Sequence, residues 1–192
     1  MKTIYFVTSN EGKVHEVTEK LTSFDIRIIQ KDVGYPEIQT SSLEEVARFG
    51  VKVLQKQLDH SFILEDAGIF IDALKGFPGV YSSYVYFSIG LEGILQLLKC
   101  IPVEKRTAQF QSVFAYATPD LDLKLFKGVC NGTITATKKG SKGFGYDPIF
   151  KPDGFDNTFA EMDTKEKNTV SHRAKSLDQL VLYLTKNNYA NL

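Results

Sequence analysis

The sequence predicts a mixed α/β fold, and two observations carry that reading. Continuous apolar runs at residues 4–7 and 62–64 alternate with amphipathic helical stripes, the order of parallel strands joined by right-handed crossovers. Two longer alternating segments, residues 107–117 and 123–135, flank Pro119-Asp120 and predict an antiparallel hairpin beside them.

Each element follows from its residues. Ile4-Tyr5-Phe6-Val7 is a strand covered on both faces, and it stops at Thr8-Ser9-Asn10. Val14, Val17 and Leu21 recur at i, i+3 and i+7, which predicts a helix. Residues 24–29 predict a second strand, closed by Gly34-Tyr35-Pro36. The clearest helix opens at Ser42, which with Glu45 has the spacing of a capping box. Leu43, Val46, Ala47, Val51, Leu54 and Leu58 form its apolar stripe, with Glu44, Arg48, Lys52 and Lys56 largely outside it. The strand at 62–64 is expected to end abruptly at Glu65-Asp66. A turn at Gly76-Phe77-Pro78-Gly79 leads into an aromatic stretch with Tyr81, Tyr84, Tyr86 and Phe87, core or interface. Leu91, Ile94, Leu95 and Leu98 predict a short amphipathic helix. Beyond the hairpin, Gly140, Gly143 and Gly145 punctuate a loop before Tyr146-Asp147-Pro148. A last helix starts near Ser171, with Ala174, Leu177, Val181 and Leu184 as its stripe. No repeat, low-complexity tract or linker divides the chain, so one domain of two lobes is expected over residues 1–192.

Composition excludes several classes. With 23 basic and 23 acidic side chains the formal charge is zero, which lends nothing to duplex nucleic-acid binding. No stretch approaches the ~20 apolar residues that span a bilayer. Cys100 and Cys130 lie 30 residues apart without C-x-x-C spacing and read as reduced thiols. A soluble, cytoplasmic protein is expected.

Ligands of open α/β sheets bind outside the carboxyl ends of parallel strands. The first such end, Thr8-Ser9-Asn10-Glu11-Gly12-Lys13, supplies hydroxyls, an amide, a cation and the N–H groups of a helix start, all suited to phosphate oxygens. It equally suits a plain N-capped turn, and it lacks the spaced glycines of a Walker A loop. The second, Glu65-Asp66, places two adjacent carboxylates where a cation such as Mg2+ relieves their repulsion, unless the pair is merely a solvated acidic turn. Glu37 is a third candidate ligand. Lys167 and Ser171-His172-Arg173 gather cations at a helix start, against the macrodipole, and such conflicts mark functional positions. The ordinary alternative is a capped surface helix with His172 packed on a neighbour. In Gly143-Phe144-Gly145-Tyr146-Asp147-Pro148, exposed aromatics flank a carboxylate, and Phe144 is placed to stack on a base; a Gly-rich turn with a buried Tyr is the structural alternative.

Six motifs in order resemble the inosine triphosphate pyrophosphatase family. They are Thr8-Ser9-Asn10-x-x-Lys13, Glu65-Asp66-x-Gly68, Gly76-Phe77-Pro78-Gly79-x-Tyr81-Ser82, Phe144-Gly145-Tyr146-Asp147-Pro148, Phe159-Ala160-Glu161-Met162 and Glu166-Lys167-Asn168-x-x-Ser171-His172-Arg173. The resemblance runs from Lys2 to about Leu184 and is closest to archaeal members. It implies an elongated mixed sheet flanked by helices, two lobes with a central active-site cleft, and a homodimer. It also implies Mg2+-dependent hydrolysis of ITP, dITP and XTP to the monophosphate and pyrophosphate. Carried onto matching positions, Thr8, Ser9, Asn10 and Lys13 would hold phosphates. Glu37 and Asp66, helped by Glu65, would bind metal, with Asp66 the general base. Phe144 would stack on the purine within the Gly145-Tyr146 loop. Asp147, His172 and Arg173 would contact the base, and Lys167 the nucleotide. Ala67 stands where many members have Ser or Thr, and Leu91 where Asn is frequent. The rival readings are a Maf-type pyrimidine nucleotide pyrophosphatase, a non-catalytic nucleotide sensor, and a nucleic-acid binder using Lys138, Lys139 and Lys142.

Overall fold

The computed structural model describes residues 2–21, 24, 26–36, 38–120 and 122–189. Strands β1 (Lys2–Val7), β2 (Ile26–Lys31), β3 (Phe62–Ile71), β4 (Pro78–Gly79), β5 (Thr107–Ala117), β6 (Leu123–Ile134) and β7 (Phe150–Pro152) form one sheet. Its order is β2-β1-β3-β5-β6-β7, with β4 beside β3. β1 pairs in parallel with both β2 and β3, while β3–β4 and β6–β7 are antiparallel. The sheet is therefore mixed, and its parallel part is the β-α-β-α-β order predicted from the apolar runs. The helices are α1 (Glu11–Leu21), α2 (Leu43–Leu54), α3 (Ser82–Leu97), α4 (Thr164–Val170) and α5 (His172–Tyr189).

The chain forms two compact units, residues 1–66, 112–128 and 173–192 in the first and 67–111 and 129–172 in the second. The first has a core of Ile4, Phe6, Val17, Leu21, Ile63, Phe114, Leu177 and Leu180, drawn from β1, α1, β3, β5 and α5. The second is built on Ile69, Ile94, Phe110, Ile149, Phe150, Phe159 and Met162. Each large apolar side chain so buried contributes about 1.5–3 kcal/mol relative to exposure.

Four local differences from the predicted elements have physical causes. β3 does not stop at Glu65-Asp66 but runs through them for 10 residues. Its extension is held by β4, in register Ile69↔Gly79 and Phe70↔Pro78. Only glycine fits at Gly68, because a Cβ there would stand 2.2 Å from the Gly79 carbonyl oxygen. Ser82 Oγ donates to Gly79 O at 2.6 Å and accepts from Ile69 N at 2.8 Å, and the Phe77-Pro78 bond is cis. The Gly68 and Gly76–Ser82 motifs are thus architecture for β3.

The aromatic stretch is helical: α3 joins two helical segments across Gly90, whose φ of 63° is left-handed. Tyr84 and Phe87 on it are 74% and 83% exposed, so these two rings are surface, not core. The second strand runs two residues later than expected, over Ile26–Lys31, leaving Phe24 exposed. The short helix α4 went unpredicted, being too short to show a periodic stripe; Asp163 caps it by accepting from Glu166 N at 2.8 Å.

At α2, Ser42 Oγ accepts from Glu45 N at 3.3 Å, which is half of the expected capping box. The return arm is relayed. Thr40 donates its hydroxyl to Glu45 and accepts from Ser42 N at 3.2 Å.

Candidate active site

In the first unit, the β1–α1 turn is ordered by its own side chains. Asn10 Oδ1 accepts from Lys13 N at 3.0 Å as the N-cap of α1, and Thr8 Oγ1 accepts from Asn10 N at 3.1 Å. Ser9 and Asn10 are exposed, and Thr8, Gly12 and Lys13 half-buried. The turn therefore presents a helix start to solvent, while its single lysine is drawn inward.

Lys13 Nζ donates to the Glu65 carbonyl oxygen at 2.9 Å and pairs with Glu65 Oε2 at 3.2 Å. The Glu65 side chain has no exposed surface. Its Oε1 accepts from Ser112 Oγ at 2.6 Å and from Arg173 Nε at 3.0 Å, and Oε2 lies 3.1 Å from the same Nε. Arg173 Nη1 donates to Glu16 Oε2 at 2.7 Å. Burial alone would push the Arg173 guanidinium down, but the charges and hydrogen bonds of Glu65 and Glu16 raise it well above its usual value. Four alternating charges thus cancel inside the unit: Glu16, Arg173, Glu65, Lys13. This answers the macrodipole conflict at the start of α5, since two buried carboxylates stabilise Arg173 there.

Asp66 follows Glu65 on β3, half-buried, and its Oδ2 accepts from the Tyr35 hydroxyl at 3.2 Å. Ala67, next in line, is also half-buried. Lys13 and Arg173, from the start and the end of the chain, therefore converge on Glu65, and Asp66 is the next residue of β3. Glu37 lies outside the described residues. Among the described residues no three His, Cys, Asp or Glu side chains are grouped to hold a metal by themselves. Mg2+ is commonly held by one or two carboxylates with water and substrate phosphates completing its shell, so Asp66 suits a phosphate-borne ion. Glu65 suits it poorly, because both its oxygens already face cations.

The second unit carries the other motifs. Lys167 Nζ pairs with Asp147 Oδ2 at 2.7 Å, with both side chains at most 5% exposed. The same Oδ2 accepts from Phe144 N at 2.9 Å. Lys167 Nζ also lies 5.0 Å from the centre of the half-buried Phe144 ring and 5.4 Å from that of Phe159. Gly143 makes this possible: a Cβ there would sit 2.1 Å from Asp147 Oδ2, at a φ of +71°. Ala160 O accepts from Ser141 N and Lys142 N at 3.1 and 3.0 Å, so the Phe159–Met162 motif anchors the glycine loop.

Two expectations need correction. Tyr146 is not an exposed aromatic; it is 4% exposed and donates its hydroxyl to Ser82 O at 2.8 Å. Burial pushes its phenol well above the usual value. Gly145 beside it has a φ of +59°, which turns the chain between Phe144 and the buried tyrosine. His172 does pack on a neighbour, its ring stacked on Phe110 at 4.5 Å and 7°, but at 3% exposure it is buried and not part of a surface face.

Sequence reading missed Glu16, Tyr35, Ser112 and Ser176. Ser112 occupies an inward position of β5 between Phe110 and Phe114, and its Oγ lies 2.9 Å from Ser176 Oγ. A hydroxyl in an apolar register was the available signal. Glu16 gave another, an acid beside Val17 on the buried face of α1.

The chain resembles known proteins over nearly its whole length. The profile of the Ham1 family matches residues 4–183. The dITP/XTP pyrophosphatase of Thermococcus kodakarensis is 50% identical over 182 residues, 95% of this chain and 97% of that protein. That of Pyrococcus horikoshii is 50% identical over 184 residues, 96% and 97% of the two chains. Among solved structures, the Staphylococcus aureus Ham1 protein superposes with a TM-score of 0.83 at 30% identity, covering 97% of this chain and 100% of its own. A HAM1 protein from Coxiella burnetii gives 0.83 at 31% identity with the same coverage. On sequence and fold together, this chain belongs to the Ham1 family.

Proposed function

We propose that this chain hydrolyses deaminated purine nucleoside triphosphates (dITP, XTP and ITP) to the monophosphate and pyrophosphate. The observation that carries the reading is the hold of Glu65 on Lys13: the ammonium of a phosphate-compatible helix start is fixed on β3 at the residue before the half-buried Asp66. The names of the half-identical relatives, dITP/XTP pyrophosphatase, support the same substrate class.

The first unit handles the phosphates. The Thr8, Ser9 and Asn10 turn offers hydroxyls, amide and backbone N–H groups, and Lys13 supplies localised positive charge to a polyanion that an overall neutral chain would not attract. Asp66 orients a water and takes its proton as the water oxygen bonds to the α-phosphorus. The α–β bridging P–O bond breaks, and pyrophosphate leaves. Such proton transfer contributes about 10²–10⁴-fold. Mg2+ is the cofactor this reading calls for: Asp66 would hold it, with Glu37 a further candidate ligand, and it would supply charge neutralisation at the phosphate oxygens.

The second unit handles the base, and the two units serve as lobes of a single catalytic domain. Phe144 offers a ring for stacking, and the Lys167–Asp147 pair fixes the loop that carries it. Hypoxanthine and xanthine present an acceptor at C6 where adenine presents an amino donor. A donor aimed at that oxygen, from His172 or the 144–147 backbone, opposes adenine donor to donor and disfavours it. We read the enzyme as a homodimer on the resemblance, and as cytoplasmic because its two cysteines lack the spacing of a disulfide framework or zinc site.

A panel of dITP, XTP, ITP, ATP, GTP and a modified pyrimidine triphosphate, scored by pyrophosphate release with Mg2+, tests this. The expected kcat/KM for ITP exceeds that for ATP by about 10⁴. Equal values, or preference for the pyrimidine, would overturn it.

A further inference from the structure

We propose that Glu65 is a positioning residue that holds Lys13 for the triphosphate, an assignment that rests on the phosphate-binding reading of the first unit. It is not a magnesium ligand.

Three observations support this. The Glu65 carboxylate is the most deeply buried of the four alternating charges, with side-chain exposures of 7% for Glu16, 3% for Arg173, 0% for Glu65 and 17% for Lys13. The series therefore opens toward solvent at Lys13. Second, Glu65 grips Lys13 twice, through its carbonyl oxygen at 2.9 Å and its Oε2 at 3.2 Å, which fixes the position of the ammonium as well as its charge. A lysine stem otherwise carries about 2 kcal/mol of rotamer entropy, and a site that must meet a polyanion gains by having it already ordered. Third, Glu65 is itself fixed from behind, by Arg173 Nε on both oxygens and by Ser112 Oγ, while Arg173 is tied to Glu16. A carboxylate so engaged by cationic and hydroxyl donors has little lone-pair capacity left for a metal.

Electrostatics and positioning make opposite forecasts for Glu65→Gln. Coulomb attraction alone would have a polyanion bind more tightly once a nearby carboxylate is neutralised. Loss of positioning weakens binding instead. The test is calorimetric titration of the full chain with inorganic tripolyphosphate in EDTA, which needs neither turnover nor metal. Positioning is expected to weaken binding by about tenfold or more in Glu65→Gln, the scale of one charge-assisted hydrogen bond. Lys13→Met should match that loss, and the double variant should lose little beyond Lys13→Met alone. Tighter or unchanged binding in Glu65→Gln, or additive losses in the double variant, would overturn the assignment. So would a rise in half-saturating Mg2+ for Glu65→Gln at saturating dITP.

If Glu65→Gln fails to fold, Glu16→Gln, one step further back, is expected to weaken tripolyphosphate in the same direction with smaller amplitude, again only while Lys13 is present. No coupling between Glu16 and Lys13 would also sink it. Wild-type binding of tripolyphosphate without pyrophosphate release from dITP would instead fault the functional reading and leave the positioning role standing.

Discussion

The two units both bury charge, and they stabilise it with different materials. In the first, Arg173 reaches two carboxylates at once, Glu65 through Nε and Glu16 through Nη1, and Lys13 follows on Glu65. In the second, the Lys167 ammonium pairs with Asp147 and lies over the rings of Phe144 and Phe159. Carboxylates supply full counter-charge, whereas an aromatic face contributes roughly 0.5–2 kcal/mol to a cation. The planar guanidinium fork suits the shared arrangement, and the compact ammonium suits a ring lattice.

The largest expected effect comes from removing one acid in each unit. Asp147→Asn removes a buried counter-charge 2.7 Å from Lys167 Nζ and should cost about 3–5 kcal/mol of stability. Glu16→Gln leaves Arg173 still paired with Glu65, so about 1–3 kcal/mol is expected. Urea unfolding of both variants near neutral pH measures the contrast, and equal losses would erase it. Next in size is a catalytic effect confined to the first unit. Asp66→Asn should lower kcat by at least ~10² with an unchanged unfolding midpoint, since its carboxylate is half-buried and lies outside the four-charge series. Near-normal pyrophosphate release would remove Asp66 from the proton transfer.

Much of this was legible in the residues. The apolar runs located β1 and the start of β3, and alternation located β5 and β6, because hydrophobic period is a local property. The candidate residues Lys13, Glu65, Asp66 and Arg173 were also visible, as polar groups at places where a purely structural turn needs none. Their pairing was not. Arg173 and Glu65 are 108 residues apart, and nothing local to either says that they share a hydrogen bond. The continuation of β3 past Asp66 was hidden for the same reason, since two adjacent acids read as a solvated strand end until buried cations and a Gly68–Gly79 contact are known. The glycine loop left Tyr146 open between exposed and buried, and the buried reading holds because its hydroxyl finds Ser82 some 64 residues away.

The smallest expected effect calibrates the others, because it belongs to an exposed pair within the first unit. Lys127 Nζ lies 2.8 Å from Glu44 Oε1, with side chains 42% and 34% exposed. Burial by itself would raise the Glu44 carboxyl, but the hydrogen bond and charge of Lys127, with the donors of its own backbone and Ser42, hold it below its ordinary value of 4.5. A group depressed on folding adds stability that is fully present above its unfolded value and is lost as pH falls through its folded one. At this exposure solvent screening leaves the pair less than about 1 kcal/mol. Lys127→Met is therefore expected to lose a few tenths to about 1 kcal/mol near pH 7. That gap should close as pH falls below 4.5 and on through the lowered folded value of Glu44, and shrink in about 0.5 M salt. Urea unfolding across that pH range reads it directly. A gap that persists in acid would mean that Lys127 stabilises through its packed stem instead of its charge. A gap as large as that of Asp147→Asn would mean that burial is not what separates the two interior clusters from the surface.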